Sequence, residues 1–162
     1  HAELPVIKEA MIDETAHLAT ALITLLCVAP RMSLWRLSGT VIGGTAIDLD
    51  HLPAMAGSLM LTEGTNRPYT HSLLPAVLLI VFGVALPAWI REFAWGASLG
   101  MVSHLLRDMA TGGVPLLWPL ELASFTVPYS VYVAILAAGA CGASVRYGAG
   151  RQRLAWSTES PQ

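Results

Sequence analysis

The feature that most restricts the fold of this chain is an uncharged run of 19 residues, 72–90. A helix of that length rises about 28 Å, close to the ~30 Å hydrocarbon thickness of a bilayer. Four further apolar runs cover residues 16–30, 34–47, 93–110 and 128–145. The run at 34–47 is the weakest of them, and its Gly39, Gly43 and Gly44 are spaced to let a neighbouring helix come close, as small residues do inside membranes. The first run is short for a span, so its helix is expected to begin in the polar turn before it. Together the runs predict an all-α fold, a polytopic membrane helix bundle of about five transmembrane helices.

Composition supports that reading. The 162-residue chain is 54% hydrophobic and only 12% charged, with a mean hydropathy of +0.59. A soluble domain of this size needs a larger polar shell. The net charge of −2 and the absence of a basic block argue against nucleic acid as a partner, leaving the lipid bilayer as the expected one. Residues 4–10 are too few and too charged to form the apolar core of a signal peptide, so insertion is expected to rely on the first spanning helix. Residues 1–150 read as a single membrane-embedded domain and 151–162 as a polar C-terminal tail. Cys27 and Cys141 fall within apolar runs and read as small buried hydrophobes rather than a disulfide.

If the five helices alternate in direction, the charges separate. One side receives Arg31, Arg36, Arg91, Arg146, Arg151 and Arg153 against Glu92 and Glu159, and the other receives nine acidic residues against Lys8, Arg67 and Arg107. The positive-inside rule makes the arginine-rich side cytoplasmic and the acidic side extracytoplasmic, in a multi-pass inner-membrane protein. Both long loops, 52–70 and 111–127, fall on the acidic side.

The same alternation carries the chemically able residues to that side. His17 is expected at the start of the first helix, Asp48, Asp50 and His51 at the end of the second, His71 at the start of the third, and His104 with Asp108 near the end of the fourth. Ionisable groups at membrane depth persist where they pair, face a polar cavity or bind an ion. His104 and Asp108, four apart, share a helix face and can grip one ion together. Mixed imidazole and carboxylate donors suit zinc first, with manganese or iron as alternatives, over calcium. Seven residues exceed the needs of one tetrahedral ion and suffice for one or two.

The individual residues allow plainer readings. Asp48 and Asp50 can instead cap a helix end or pair with Arg67 or Arg107, and one of them can act as general base or orient a histidine. Arg67 stays open between binding an anionic group such as a phosphate and neutralising the carboxylates. Gly112-Gly113 ends the fourth helix, and Trp118 and Tyr129 suit a membrane interface.

Four ordered motifs resemble the YdjM family of inner-membrane metal-dependent hydrolases: Ala16-His17-Leu18; Asp48-Leu49-Asp50-His51; Arg67 with Thr70-His71-Ser72-Leu73; and Ser103-His104-Leu105-Leu106-Arg107-Asp108. The likeness continues through Thr111 and Gly113-Val114-Pro115-Leu116-Leu117-Trp118-Pro119, covering residues 17–120. Two positions depart from it, with Asn66 where the family carries histidine before the arginine and Ile47 where it carries proline. The resemblance implies a membrane-embedded hydrolase. The site's place at the membrane face, with Arg67 nearby, favours a phosphate ester or lipid-like substrate. The alternative is a non-enzymatic membrane protein with a structural metal site or an ion or proton pathway. A pathway should spread its ionisable groups through the bilayer, and here they gather at one end.

Overall fold

The computed structural model describes residues 3–29, 32–55, 57, 58, 60–62 and 67–158. It is all-helical: α1 (Glu3–Val28), α2 (Leu34–Thr45), a 3₁₀ turn (Ala46–His51), the single-turn α3 (Leu52–Met55), α4 (Leu73–Gly83), α5 (Ala88–Thr111) and α6 (Tyr129–Thr158). Among the described residues there is no β-strand, only an isolated bridge between Val114 and Phe125.

Three boundaries differ from the sequence reading. The 72–90 run is not one helix, because α4 stops at Gly83 and Pro87 becomes the residue before α5. Proline has no N–H to continue the α4 ladder and its ring crowds the preceding turn, so the chain folds back there. A Cβ on Gly83 would meet the Ala94 Cβ at 3.0 Å, and this bare surface lets α5 return alongside α4. The first helix, expected to begin in the polar turn before residue 16, does so and reaches back further, to Glu3, and α6 continues past 145 as far as Thr158.

α2 and α5 pack most closely of any pair. A Cβ on Gly43 would overlap the backbone of Ala97, and one on Gly100 would run into the backbones of Thr40, Gly43 and Gly44. The expected close contact at Gly39 and Gly43 is therefore present, and its partner surface on α5 is made of Gly96, Ala97 and Gly100.

Each end of this seam has its own chemistry. At one end Ser33 caps α2, accepting from the Arg36 N–H at 3.1 Å, and Arg36 pairs with Glu92 at 2.7 Å. Nearby, the Arg146 guanidinium donates to the α1 carbonyl of Cys27 at 2.9 Å and to that of Leu26. The other end receives the histidines and aspartates, so the five longer helices run in alternating directions between an arginine-bearing end and an acidic one.

The distribution of side-chain size is inverted relative to a soluble domain. Ala21, Ala76, Ala94 and Ala97 are buried beside His17, Thr20, Thr40 and Asp108. Val77, Leu78, Ile80, Val81 and Phe82 of α4 and Val131, Val133 and Ile135 of α6 face outward. By length and composition one described segment, Tyr129–Gly148 with mean hydropathy 1.3, is long and apolar enough to cross a membrane. Leu73–Gly83 is apolar but short. Its 11 residues and the 12 of α2 reach only about 16–18 Å each. The cysteines are free, Cys27 half-buried and Cys141 exposed, which corrects the buried reading of Cys141.

The seam predicts a clear contrast between glycines. Gly43→Leu or Gly100→Leu should cost about 3 kcal/mol or prevent folding, since backbone cannot yield as a flexible side chain can. Gly142→Leu, where nothing lies within 4 Å, should leave thermal unfolding in detergent unchanged.

Candidate metal centre

Each element delivers its donors for a local reason. Asp48, Asp50 and His51 sit on the tighter 3₁₀ turn that closes α2, His71 comes just before the first turn of α4, and His104 and Asp108 share one face of α5. His17 lies in the middle of α1 rather than at its start, because the helix extends back to Glu3. The structure brings all seven residues together with Arg67. Asn66 lies outside the described residues.

At the centre are four donor atoms: Nε2 of His71 and His104, Oδ1 of Asp48 and Oδ2 of Asp108. His71 Nε2 is 3.2 Å from Asp48 and 3.4 Å from Asp108. His104 Nε2 is 3.4 Å from Asp48 and 3.1 Å from Asp108. With metal–ligand bonds of about 2.0–2.1 Å, the edge of a coordination tetrahedron is about 3.3–3.4 Å. These four separations are of that order, and they close a ring in which imidazole and carboxylate alternate.

The second nitrogen of each central histidine is occupied elsewhere. His104 Nδ1 is 2.9 Å from the Gly44 carbonyl oxygen, which can only accept, so the proton resides on Nδ1 and the Nε2 lone pair faces the cluster. His71 Nδ1 lies 3.1 Å from Asp50 Oδ2, which also accepts from the Thr70 hydroxyl. Its Nε2 faces the same centre, 3.2 Å from Asp48 Oδ1 and within hydrogen-bond geometry of it. This is the outer arrangement expected around metal-binding histidines.

The inner atoms are poorly satisfied without a cation. Asp108 is fully buried, and neither of its oxygens nor His104 Nε2 finds a partner with hydrogen-bond geometry despite the short separations. Arg67 Nη1, 3.0 Å from Asp108 Oδ2, supplies one positive charge. Unpartnered buried carboxylate oxygens are costly, and a divalent cation at this point would relieve them.

Two flanking groups extend the centre. His17 stacks on His104 with ring centroids 3.8 Å apart and holds its Nε2 3.5 Å from Asp108 Oδ1. On the other side, His51 Nδ1 is 3.1 Å from Asp50 Oδ1 and 3.5 Å from Asp48 Oδ1. Three overlapping donor groups result: His17, His104 and Asp108; Asp48, His71 and His104; and Asp50, His51 and His71.

Electrostatics follow from this crowding. Burial works to raise the Asp48 carboxyl, yet its hydrogen bond with His71 and the charge of His104 and His71 hold it well below the usual carboxylate range. Burial likewise disfavours a charged His71, and its hydrogen bonds to Asp48 and Asp50 outweigh that, raising it above an ordinary histidine. Without a metal, the carboxylates favour the charged form of His71.

Sequence reasoning missed three participants. The Gly44 carbonyl orients His104 but is backbone, and no side-chain motif reveals it. Thr70 was noticed only as a neighbour of His71, not as a donor to Asp50. Glu14, whose carboxyl is raised by burial and by the nearby Asp48 charge, stands three residues before His17 on the same helix face, a spacing that could have found it. Asp13, 3.8 Å from His17, is held by Arg107 at 3.0 Å, so Arg107 serves α1 rather than the centre.

A sequence profile for a family described as YdjM inner membrane protein matches residues 11–159. No curated protein and no solved structure matches the chain.

Because a metal competes with a proton for His71, whose charged form its carboxylate neighbours favour, affinity for zinc should fall as pH drops. Chelator-competition titrations between pH 8 and pH 6 check this. Asp50→Asn, which leaves the inner donors in place, should weaken binding by roughly 10–100-fold.

Proposed function

The chain belongs to the YdjM inner membrane protein family, and from that membership and the donor cluster we propose that it is a membrane-embedded, metal-dependent hydrolase of phosphate esters. The observation that carries the proposal is the pair of buried imidazole nitrogens, His71 Nε2 and His104 Nε2, each lying 3.1–3.4 Å from both Asp48 and Asp108, with the outer nitrogen of both histidines already tied down. Two imidazoles and two carboxylates favour zinc, with manganese or iron as alternatives. His17 on one side, and His51 with Asp50 on the other, supply donors for a second ion.

His71, His104, Asp48 and Asp108 would hold the ion, while Asp50 and Gly44 orient the two histidines. Bound there, a divalent ion makes a water acidic near neutral pH and stabilises charge on phosphoryl oxygens. Asp50 and Asp48 are the candidates to receive the water proton. Arg67, beside Asp108, offers a guanidinium whose planar donors match a phosphate. In the hydrolysis, the water oxygen bonds to phosphorus, the ester P–O bond breaks, and the water proton ends on the departing alcohol. An ion or proton pathway is less consistent with the chain, because the clustered histidines and aspartates lie at one end of the bundle, whereas the ion pair described at the other end is Arg36–Glu92.

The outward-facing apolar side chains support a bundle in which all five longer helices meet lipid. α2 and α4 would then reach only part-way across, and the site would open to the extracytoplasmic face because the opposite end is richer in arginine.

Protein purified in detergent should carry one or two transition-metal ions by elemental analysis. His104→Ala or Asp108→Ala should remove most of that metal, whereas Arg67→Ala should retain it and lose phosphate-ester hydrolysis. A protein that binds no transition metal, and is indifferent to changes at His104 and Asp108, would sink the proposal. In a variant with Cys27 and Cys141 replaced by alanine, cysteines introduced at Ser58 and Arg151 should label from opposite sides of the membrane.

A further inference from the structure

A cleft of about 350 Å³ lies between the first turns of α4 and the 116–120 loop. Its walls are almost wholly apolar, with Leu73, Leu74 and Val77 on one side and Leu117, Trp118 and Leu120 on the other. Neither the fold nor the metal centre accounts for it. Leu120 is 90% exposed beside it, an unfavourable place for leucine in water.

The cleft shares structure with the centre. Leu73 follows His71 by two residues, and its N–H donates to the Leu116 carbonyl at 3.0 Å, joining the walls at one point. Trp118 stacks on Tyr69 with centroids 5.1 Å apart and planes 5° from parallel. Tyr69 lies between Arg67, which reaches Asp108, and Thr70, which reaches Asp50. A molecule with its phosphate at Arg67 and the central donors would therefore find in this cleft an apolar surface tied to the same 67–73 segment. Away from the centre, Val77 begins the outward-facing row of Leu78, Val81 and Phe82 on α4.

We propose that the cleft seats the hydrocarbon chain of the substrate, making the substrate class a lipid phosphate ester, headgroup at Arg67 and the metal centre, chain between α4 and the 116–120 loop. The assignment of the headgroup rests on the hydrolase reading; the chain seat does not. Charge selects the occupant, because chain transfer from bilayer to cleft exchanges one apolar environment for another and gives little affinity by itself. The anionic headgroup must supply the preference, through charge-assisted hydrogen bonds.

The test uses a non-hydrolysable dodecyl phosphonate with a photoreactive diazirine at the end of its chain, applied to the full-length protein in detergent. Mass spectrometry should locate the label on residues 73–77 and 116–120, and unlabelled dodecyl phosphonate should compete it away. A trimethylammonium probe of the same chain length should label there roughly tenfold less, the least expected from losing one hydrogen bond to a charged group. Val77→Trp, filling the cleft from a half-exposed position, should reduce the label, as should Leu120→Gln at a site with little packing to lose. Label spread over the outer face of α6, or indifferent to the headgroup, overturns the seat even if the protein binds metal. Headgroup-dependent label in the cleft of a protein that binds no transition metal supports the seat and overturns the hydrolase reading.

Discussion

The contact between α2 and α5 is the constraint on which the rest of this structure depends. Glycine at 43 and 100 allows backbone to meet backbone, and that separation lets His104 on α5 donate to the Gly44 carbonyl on α2. One hydrogen bond thereby joins the packing of the bundle to the protonation of a central histidine. The same contact brings the 3₁₀ turn, which begins one residue after Thr45, over the last turns of α5, so Asp48 meets His104 and Asp108. A bulkier seam would separate those groups before it affected any helix alone.

The centre that results is electrostatically unfinished. Asp108 is completely buried and compensated by Arg67 and neighbouring imidazoles at ion-pair distances, with hydrogen-bond geometry to none of them. Groups held apart at the edge lengths of a coordination tetrahedron satisfy one another poorly and a cation well. Interior small residues allow this density of polar atoms, while the large apolar residues that would fill the core of a soluble domain lie outside on α4 and α6. The inversion and the polar centre are two aspects of one packing solution.

Several parts of this arrangement were legible before any coordinates. The glycines of α2 announced a close neighbour, and the spacing of His104 and Asp108 announced a shared face. Alternation of the apolar runs carried all seven candidate residues to one end, where the structure also collects them. Pro87 was harder to read: a proline near the end of an apolar run is compatible with either a kinked span or a reversal, and local sequence does not separate them. That α1 begins before its apolar run was legible from the run's shortness, but how far back was not, since residues 3–15 lack an apolar run and become helical in continuity with the segment that follows.

What the sequence determined by itself was the all-helical class, the separation of charge between two ends, and the identities of the donors, because these follow from hydropathy, periodicity and side-chain chemistry. Only the tertiary structure decided which donors stand at the centre and which at its flanks. It also decided the proton position on His104, the part played by Gly44 and Thr70, and the cleft beside Trp118. Those properties depend on distances between segments far apart in the chain and on backbone carbonyls, whose orientation no residue name records.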